Sequence, residues 1–434
     1  MTTGVPVARN RHKPLILFAP QSPDGQGGDC RLPWELFESR CFQDEFQVDV
    51  LAPETKSYRG LADKLKGVCR FIFFDRHRSP IADAFDIVLP PIGRRIRNHA
   101  KSRFVRSGTQ FDCIERLRPA LVWFNLSSAW YTGFHPGMER CRRLGIPYWY
   151  VANNVPNELV FYRDWRDSVT HNLVGAARVL AHSKEGLKLL KRAALADHMT
   201  TQLLMTSRSD QFLARAGDIA TEHPVKTEGP ARFVHVGSFD PHVKGQHMLL
   251  SALAGRKWRD RDWSLRFAGH GQSAYLEDLV VHLGLEDRVG IVGFREDVLS
   301  LHVESDVFFF PSLTEGKGLA LIEAMAAGRP ALGTPIGGIK EVIKDQRNGW
   351  LASAASTRAV ADCLERMWQD RPLWPAFGRQ ARVDVSEEYN HERAFPKLVS
   401  ALLQDLRGDG RDTKKRSVGA REEETAADNK KRRG

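Results

Sequence analysis

The chain has 434 residues, long enough for two ordinary domains that each bury a core of their own. Its 42% apolar and 27% charged residues are those of a globular, water-soluble protein, and no apolar run approaches the roughly 18 residues that a membrane-spanning helix requires. A formal charge of +11 calls for an anionic partner, while six scattered cysteines (Cys30, Cys41, Cys69, Cys113, Cys141, Cys363) without a C-x-x-C pair offer neither a zinc site nor a disulfide frame and suggest a reducing cytoplasm.

At the N-terminus, Arg9, Arg11, His12 and Lys13 precede PLILFAP, whose apolar run is shorter than the roughly 7 to 15 residues of a signal-peptide core and lacks a small-residue cleavage site. Leu15 to Ala19 therefore predicts a buried β-strand. The loop PQSPDGQGGDC follows, then a helical pattern through Leu32, Leu36 and Phe37. Gly27 and Gly28 in that loop either let the backbone approach a ligand or merely permit a tight turn. Further apolar runs at Val48 to Leu51, Arg70 to Phe74, Ala120 to Asn125 and Pro147 to Ala152 predict strands, with helical or loop segments between them. Such alternation makes a doubly wound parallel sheet. Between the strands, Gly93 to Arg106 carries Arg94, Arg95, Arg97, Lys101, Arg103 and Arg106 and no acid. It reads equally as a basic amphipathic element against anionic lipid or an acidic acceptor and as a solvated face. Phe161 to Leu180 and Ser183 to Ala194 read as helices, with Val179 to Ala181 a short strand at most.

A second strand, glycine turn and helix unit begins at Arg232 to Val236, passes through GSFDPHVKG and continues as a helix from Gln246 to Leu253. Trp263 to Ala268 and Gly269-His-Gly-Gln-Ser-Ala274 form another, a loose dinucleotide fingerprint that by itself would indicate an oxidoreductase. The pair Asp260 and Asp262 sits among KWRDRDW rather than after an apolar strand, so it is read as a solvated turn and no metal is assigned. The clearest unit runs from Asp306 to Trp350. There the unalternating run Val307 to Phe310 predicts a buried parallel strand, TEGKG a glycine loop, and Leu319 to Ala327 a helix stopped by Gly328 and Pro330. The free amides at the helix start, near Gly318 and Leu319, favour a phosphate. Glu315 and Glu323 bracket that anion site. Carboxylates beside a phosphate pocket suit neutral hydroxyl groups, and diphosphate with many hydroxyls describes a sugar nucleotide. Thr357 to Trp368 and Glu387 to Leu406 are predicted helices. From Arg407 to Gly434 the chain has 10 Lys or Arg against 6 Asp or Glu and almost no large apolar residue, so disorder is expected.

The segment Glu315-Gly-Lys-Gly-Leu-Ala-Leu-Ile-Glu323 resembles the paired-glutamate signature of the retaining GT-B glycosyltransferases of family four (group 1). Lys244-Gly245, the glycines at 269 and 271, and Gly337-Gly338 follow the family's order. The resemblance implies an α/β fold of two Rossmann-like doubly wound domains facing a cleft, with a C-terminal helix crossing back. Residues 1–225 would form the acceptor domain, 226–385 the nucleotide-sugar donor domain, 386–406 the returning helix and 407–434 the charged tail. It implies that Glu315 meets hydroxyls of the donor sugar, that Glu323 meets the ribose, and that Gly318 and Leu319 hold the diphosphate through their amides. Lys244 would pair with the diphosphate as a catalytic cation, Gly237 and Ser238 would line the donor turn, and Gly269 and Arg295 would lie against the nucleotide. Gly27, Gly28 and Asn153 would face the cleft and acceptor. Beyond Ala320, where the family often has Pro, and LLMTSRSD, which keeps only Asp210 of the family's turn, the sequence departs from the pattern at three candidate site residues. Ser238 stands where the family has an Arg, Asn153 where it has a His, and Lys317, a further cation near the phosphates, where it has an aromatic residue. A Ser offers neither charge nor a bidentate fork, and an Asn is no base at neutral pH.

The function implied is a metal-independent retaining transfer of a sugar from a nucleoside diphosphate to a hydroxyl acceptor, glycan or lipid-linked, in cell-surface polysaccharide or glycolipid synthesis, without a cofactor. The location would be cytoplasmic, with peripheral contact to anionic membrane at its inner face. Nucleic acid is not expected as a partner. A non-catalytic nucleotide-sugar-binding relative would account for Ser238 and Asn153, and a Rossmann oxidoreductase is the more distant alternative.

Overall fold

The computed structural model describes residues 13–21, 31–74, 109–129, 131, 133–155 and 163–407. Gly27, Gly28, the basic stretch 93–106 and the tail from 408 lie outside the described residues.

Thirteen named strands of the described residues form two parallel sheets. The first takes β1 (Leu15–Pro20), β2 (Gln47–Pro53), β3 (Cys69–Phe74), β4 (Leu121–Leu126), β5 (Tyr148–Ala152), β6 (Arg178–Ala181) and β7 (Thr201–Leu203) in the order 3-2-1-4-5-6-7. The second takes β8 (Ala231–Val236), β9 (Trp263–Ala268), β10 (Val289–Gly293), β11 (Val307–Phe310), β12 (Ala331–Gly333) and β13 (Gly349–Leu351) in the order 10-9-8-11-12-13. Their apolar runs do not alternate because both faces of each sheet are covered. One face of the first sheet packs Val122, Phe124 and Tyr150 with Met138 and Leu173, and the other packs Ile16, Trp123, Trp149 and Leu180 with Leu36 and Phe37. In the second sheet Phe233, Phe309 and Trp350 face one layer and Val234, Phe308 and Phe310 the other.

The helices that frame the space between the sheets are α1 (Arg31–Glu38), α2 (Lys184–Ala194), α3 (Asp210–Glu222), α4 (Leu319–Ala326), α5 (Ile339–Val342), α6 (Trp374–Glu388) and α7 (His391–Arg407). Helix α3 falls within residues 1–225, yet its buried Ala216 packs with Leu321 of α4 and Ala381 of α6, on the second sheet. Helix α7 returns to the first sheet, where Ala394, Phe395, Leu398 and Leu402 join Ile16, Trp123 and Trp149. Two polar anchors fix it there, since Asp405 accepts from Trp149 Nε1 at 2.7 Å and from Arg178 Nε at 2.9 Å.

Three stretches differ from expectation. The helix expected over Phe161 to Leu180 ends at Gly175, and the short strand read at Val179 to Ala181 is β6, which begins at Arg178. The helix expected over Glu387 to Leu406 is the end of α6 and a separate α7. It breaks because the Asn390 side chain caps a new helix, with Oδ1 accepting from Arg393 N at 2.9 Å. The short strands β12 and β13 carry too few residues for a periodic signal.

Candidate donor site between the two domains

In each sheet the strand order reverses direction once, between β1 and β4 and between β8 and β11. The crevice beyond the strand carboxyl ends at such a switch point is where open α/β sheets bind ligands. In the second domain Lys244 lies in the connection that follows β8 and Glu315 in the one that follows β11.

Beyond β8 the chain turns at Gly237, and Asp240 caps a short helix, Pro241–Lys244, by accepting from His242 N at 3.0 Å. The turn is tied to its neighbours. Gly237 N donates to Ala268 O, Phe239 N to His270 O and Gly269 N to Gly293 O, at 2.9, 2.8 and 2.9 Å. Gly237, Ser238 and Gly269 are thus brought together in one loop cluster. Ser238 is half-buried, and its carbonyl accepts from Gln246 Nε2 at 2.7 Å. Arg295 lies exposed in the turn after β10.

Lys244 passes over the Phe310 ring, its Nζ 5.4 Å from the centroid, and reaches Glu315 Oε2 at 2.6 Å. The Glu315 side chain is only 8% exposed and that of Lys244 17%, so each charge is the other's compensation in a largely dry setting. After Glu315 the chain enters α4 through Gly318, at φ 84°, where a side chain would come 2.5 Å from the Phe310 ring. Glycine at this point lets α4 start directly over β11, with the amides of its first turn lacking intrahelical acceptors. Glu323 lies one turn farther in, its side chain 8% exposed, with Oε1 3.4 Å from Arg208 Nε.

The opposite wall belongs to the first domain. Asn153, at the end of β5, is buried. Its Oδ1 lies 3.2 Å from His182 Nε2, and its Nδ2 has no hydrogen-bond partner among the described residues. His182 Nδ1 lies 2.8 Å from Thr206 Oγ1. Burial pulls the His182 pKa down to about 3, so it serves as a neutral link rather than a base at ordinary pH. The walls touch. Thr314 Oγ1 donates to Asn154 Oδ1 at 3.2 Å, and a side chain at Gly316 would come 2.2 Å from the Asn153 carbonyl oxygen.

Lys317 lies at this junction. Its Nζ is 3.1 Å from Glu341 Oε2 and 5.3 Å from the Tyr389 ring, with 3% of the side chain exposed, and burial lowers its pKa from the ordinary lysine value. Glu341, on α5, also accepts from Lys184 N at the start of α2, at 2.7 Å, and so joins the two domains. Asp260 and Asp262 lie in an exposed turn ahead of β9.

Sequence reasoning passed over Arg208 and Glu341. Arg208 lies in no glycine loop, and Glu341 follows the Gly337-Gly338 pair by three residues with nothing in the spacing to single it out. The one available signal was a cation alone in the segment LLMTSRSD that links the domains.

Residues 230–370 match the family Glycosyl transferases group 1. The chain is 32% identical over 184 residues to N-acetyl-alpha-D-glucosaminyl L-malate synthase of Bacillus anthracis, covering 42% of this chain and 48% of that protein. It is 32% identical over 168 residues to the amylovoran biosynthesis glycosyltransferase AmsK of Erwinia amylovora, covering 37% and 41%. The matches thus span less than half the length of these curated relatives. In three dimensions the chain resembles HepE of Anabaena, solved in complex with UDP, with a TM-score of 0.65 and 17% identity, over 90% of this chain and 99% of that one. The architecture is therefore GT-B, two parallel-sheet domains across a cleft, and the second of them is similar to the group 1 glycosyl transferases over residues 230–370.

Proposed function

We propose that the chain is a retaining glycosyltransferase that moves a sugar from a nucleoside diphosphate to a hydroxyl acceptor. The observation that carries this reading is the buried pair Lys244 and Glu315, 2.6 Å apart at the switch point of the second sheet, beside the open start of α4. Diphosphate entering there draws Lys244 and the amides near Gly318 to its oxygens and leaves Glu315 to accept from sugar hydroxyls. As the bond to the leaving oxygen breaks, negative charge gathers on the diphosphate, and a fixed cation and aligned amides stabilise that charge more in the transition state than in the ground state. In this reading these groups do the work that a metal ion does in other transferases. The acceptor attacks from the leaving face, and contact between the domains keeps water out. HepE, solved with UDP, and AmsK, named for amylovoran biosynthesis, support a sugar nucleotide as donor and a glycan as product; that the product is a cell-surface glycan or glycolipid made at the inner face of a membrane is part of the proposal.

The test is transfer, or slow hydrolysis, of the donor that raises the melting temperature in a panel of UDP-, GDP- and ADP-sugars. Lys244→Ala and Glu315→Ala should each keep the fold and lose two to three decades of turnover, the usual cost of about 3 to 4 kcal/mol for one such group. Near-normal turnover in either variant would refute the assignment. One feature favours a second reading: Ser238, in the donor turn, supplies no charge. A protein that only binds the donor would show the thermal shift without turnover in any acceptor screen.

A further inference from the structure

The two chain crossings between the domains, at residues 204–209 and 389–390, run side by side, with Arg208 N donating to Tyr389 O at 2.9 Å and Arg208 bridged to Asn390. Arg208 therefore has a backbone fixed at the point where both connections meet. Its side chain is 8% exposed and its guanidinium lies over the Phe212 ring at 3.9 Å, which fixes its plane. From there it faces two carboxylates in different domains. Its Nε is 3.4 Å from Glu323 Oε1 on α4, and its Nη1 is 3.5 Å from Glu35 Oε1 on α1. Glu35 Oε2 in turn lies 2.9 Å from His391 Nε2 at the start of α7. One buried guanidinium thus stands between the donor helix, the first domain and the returning helix.

We propose that Arg208 is a positioning residue of the donor site: it holds one oxygen of Glu323, so that the carboxylate is turned to accept hydrogen bonds from the ribose of a nucleoside diphosphate. This rests on the function proposed above. The physical case is that a carboxylate as buried as Glu323 needs a counter-charge, and the cation set beside it is Arg208. Because Arg208 is held by its backbone bond and its aromatic stack and not by Glu323 alone, it is an anchor that the carboxylate turns toward. The guanidinium draws one Glu323 oxygen toward it by charge at 3.4 Å, which favours the carboxylate orientation that leaves the second oxygen toward the open start of α4. Arg208 acts on the ligand through Glu323 and is not itself a catalytic residue.

The consequence is selective. Loss of Arg208 should harm recognition of ribose hydroxyls and leave the hold on diphosphate intact. The experiment measures binding of UDP, GDP and ADP, each against its 2′-deoxy and 3′-deoxy counterparts, to the full chain and to Arg208→Gln, Arg208→Lys, Glu323→Gln and the Arg208→Gln/Glu323→Gln pair, with a melting curve for each variant. The wild type should prefer one ribonucleotide over a deoxy form by about tenfold or more. Arg208→Gln should weaken the ribonucleotide by that factor, leave the deoxy form nearly unchanged and so abolish the preference. Arg208→Lys should restore part of it, and the double variant should be no worse than Glu323→Gln. If Arg208→Gln weakens both forms equally, or keeps the full preference, Arg208 is merely structural or idle and the inference is wrong while the donor site stands. If the wild type binds none of the three diphosphates, the donor-site reading falls and takes the inference with it.

Discussion

His182, His235 and His302 are wholly buried, and burial pulls their pKa values from 6.5 down to about 3, 4 and 3. Each is neutral in the folded chain, while an unfolded chain takes up a proton near 6.5. Their contribution to stability is therefore present above that pH and is lost as the pH falls toward the folded values, by about 1.4 kcal/mol per unit for each histidine. Melting temperature should drop between pH 6.5 and pH 4, ahead of most carboxylate titration. The ring nitrogens of His302 have no hydrogen-bond partner among the described residues, so His302→Leu should keep the neutral-pH melting point and flatten the acid slope. An unchanged slope would mean that this imidazole is not shielded from protons. At this scale the glycine loop singles out Glu315 and Glu323 in the sequence and the family resemblance singles out Lys244, and the fold brings Lys244 and Glu315 to 2.6 Å. Arg208 and Glu341 were not legible in the sequence, because they act across the fold on groups more than one hundred residues away, and no local pattern encodes such a partner.

Among the elements, β11 and α4 were legible almost to the residue. An unbroken apolar strand and a helix bounded by glycine are each specified locally, and tertiary packing confirms the local choice. The separation of α6 from α7 was not, since both halves favour helix and the break depends on Asn390 meeting the linker at Arg208. Helix α7 is attached by polar as well as apolar contacts. Asp405→Ala would leave Arg178 without its carboxylate and Trp149 Nε1 without its acceptor, both in the buried face. It should cost about 3 to 5 kcal/mol, as removal of one partner from a buried ion pair does. Urea unfolding measures this, and a loss below about 1 kcal/mol would show that water replaces the carboxylate there.

For the molecule as a whole, doubly wound sheets follow from alternating strands and helices, whereas the pairing of two such domains with a returning helix was implied only by the family resemblance. The contact between the domains follows from neither. Thr314 with Asn154, Lys340 with Glu185, and Glu341 with the first turn of α2 are single polar pairs from unremarkable stretches, and only the fold brings them together.

The return of α7 to the first sheet has a consequence for synthesis. The strands of that sheet are complete once Leu203 has been made, but the face carrying Trp123, Trp149 and Leu180, covered in part by Leu36 and Phe37 of α1, receives the rest of its cover from residues 391–407. The intervening roughly 200 residues occupy the ribosome for about 10 to 40 s, during which the nascent first domain has an apolar face without its helix. The second domain, whose sheet and cores lie within one continuous stretch, can close before the first. Nascent chains stalled with α6 outside the ribosome but α7 still within it should therefore yield a protease-resistant second domain and a first domain that is cut readily and captured by chaperones, with resistance gained only when α7 is released. Equal resistance of the first domain in chains stalled before and after α7 would show that it folds without its last helix.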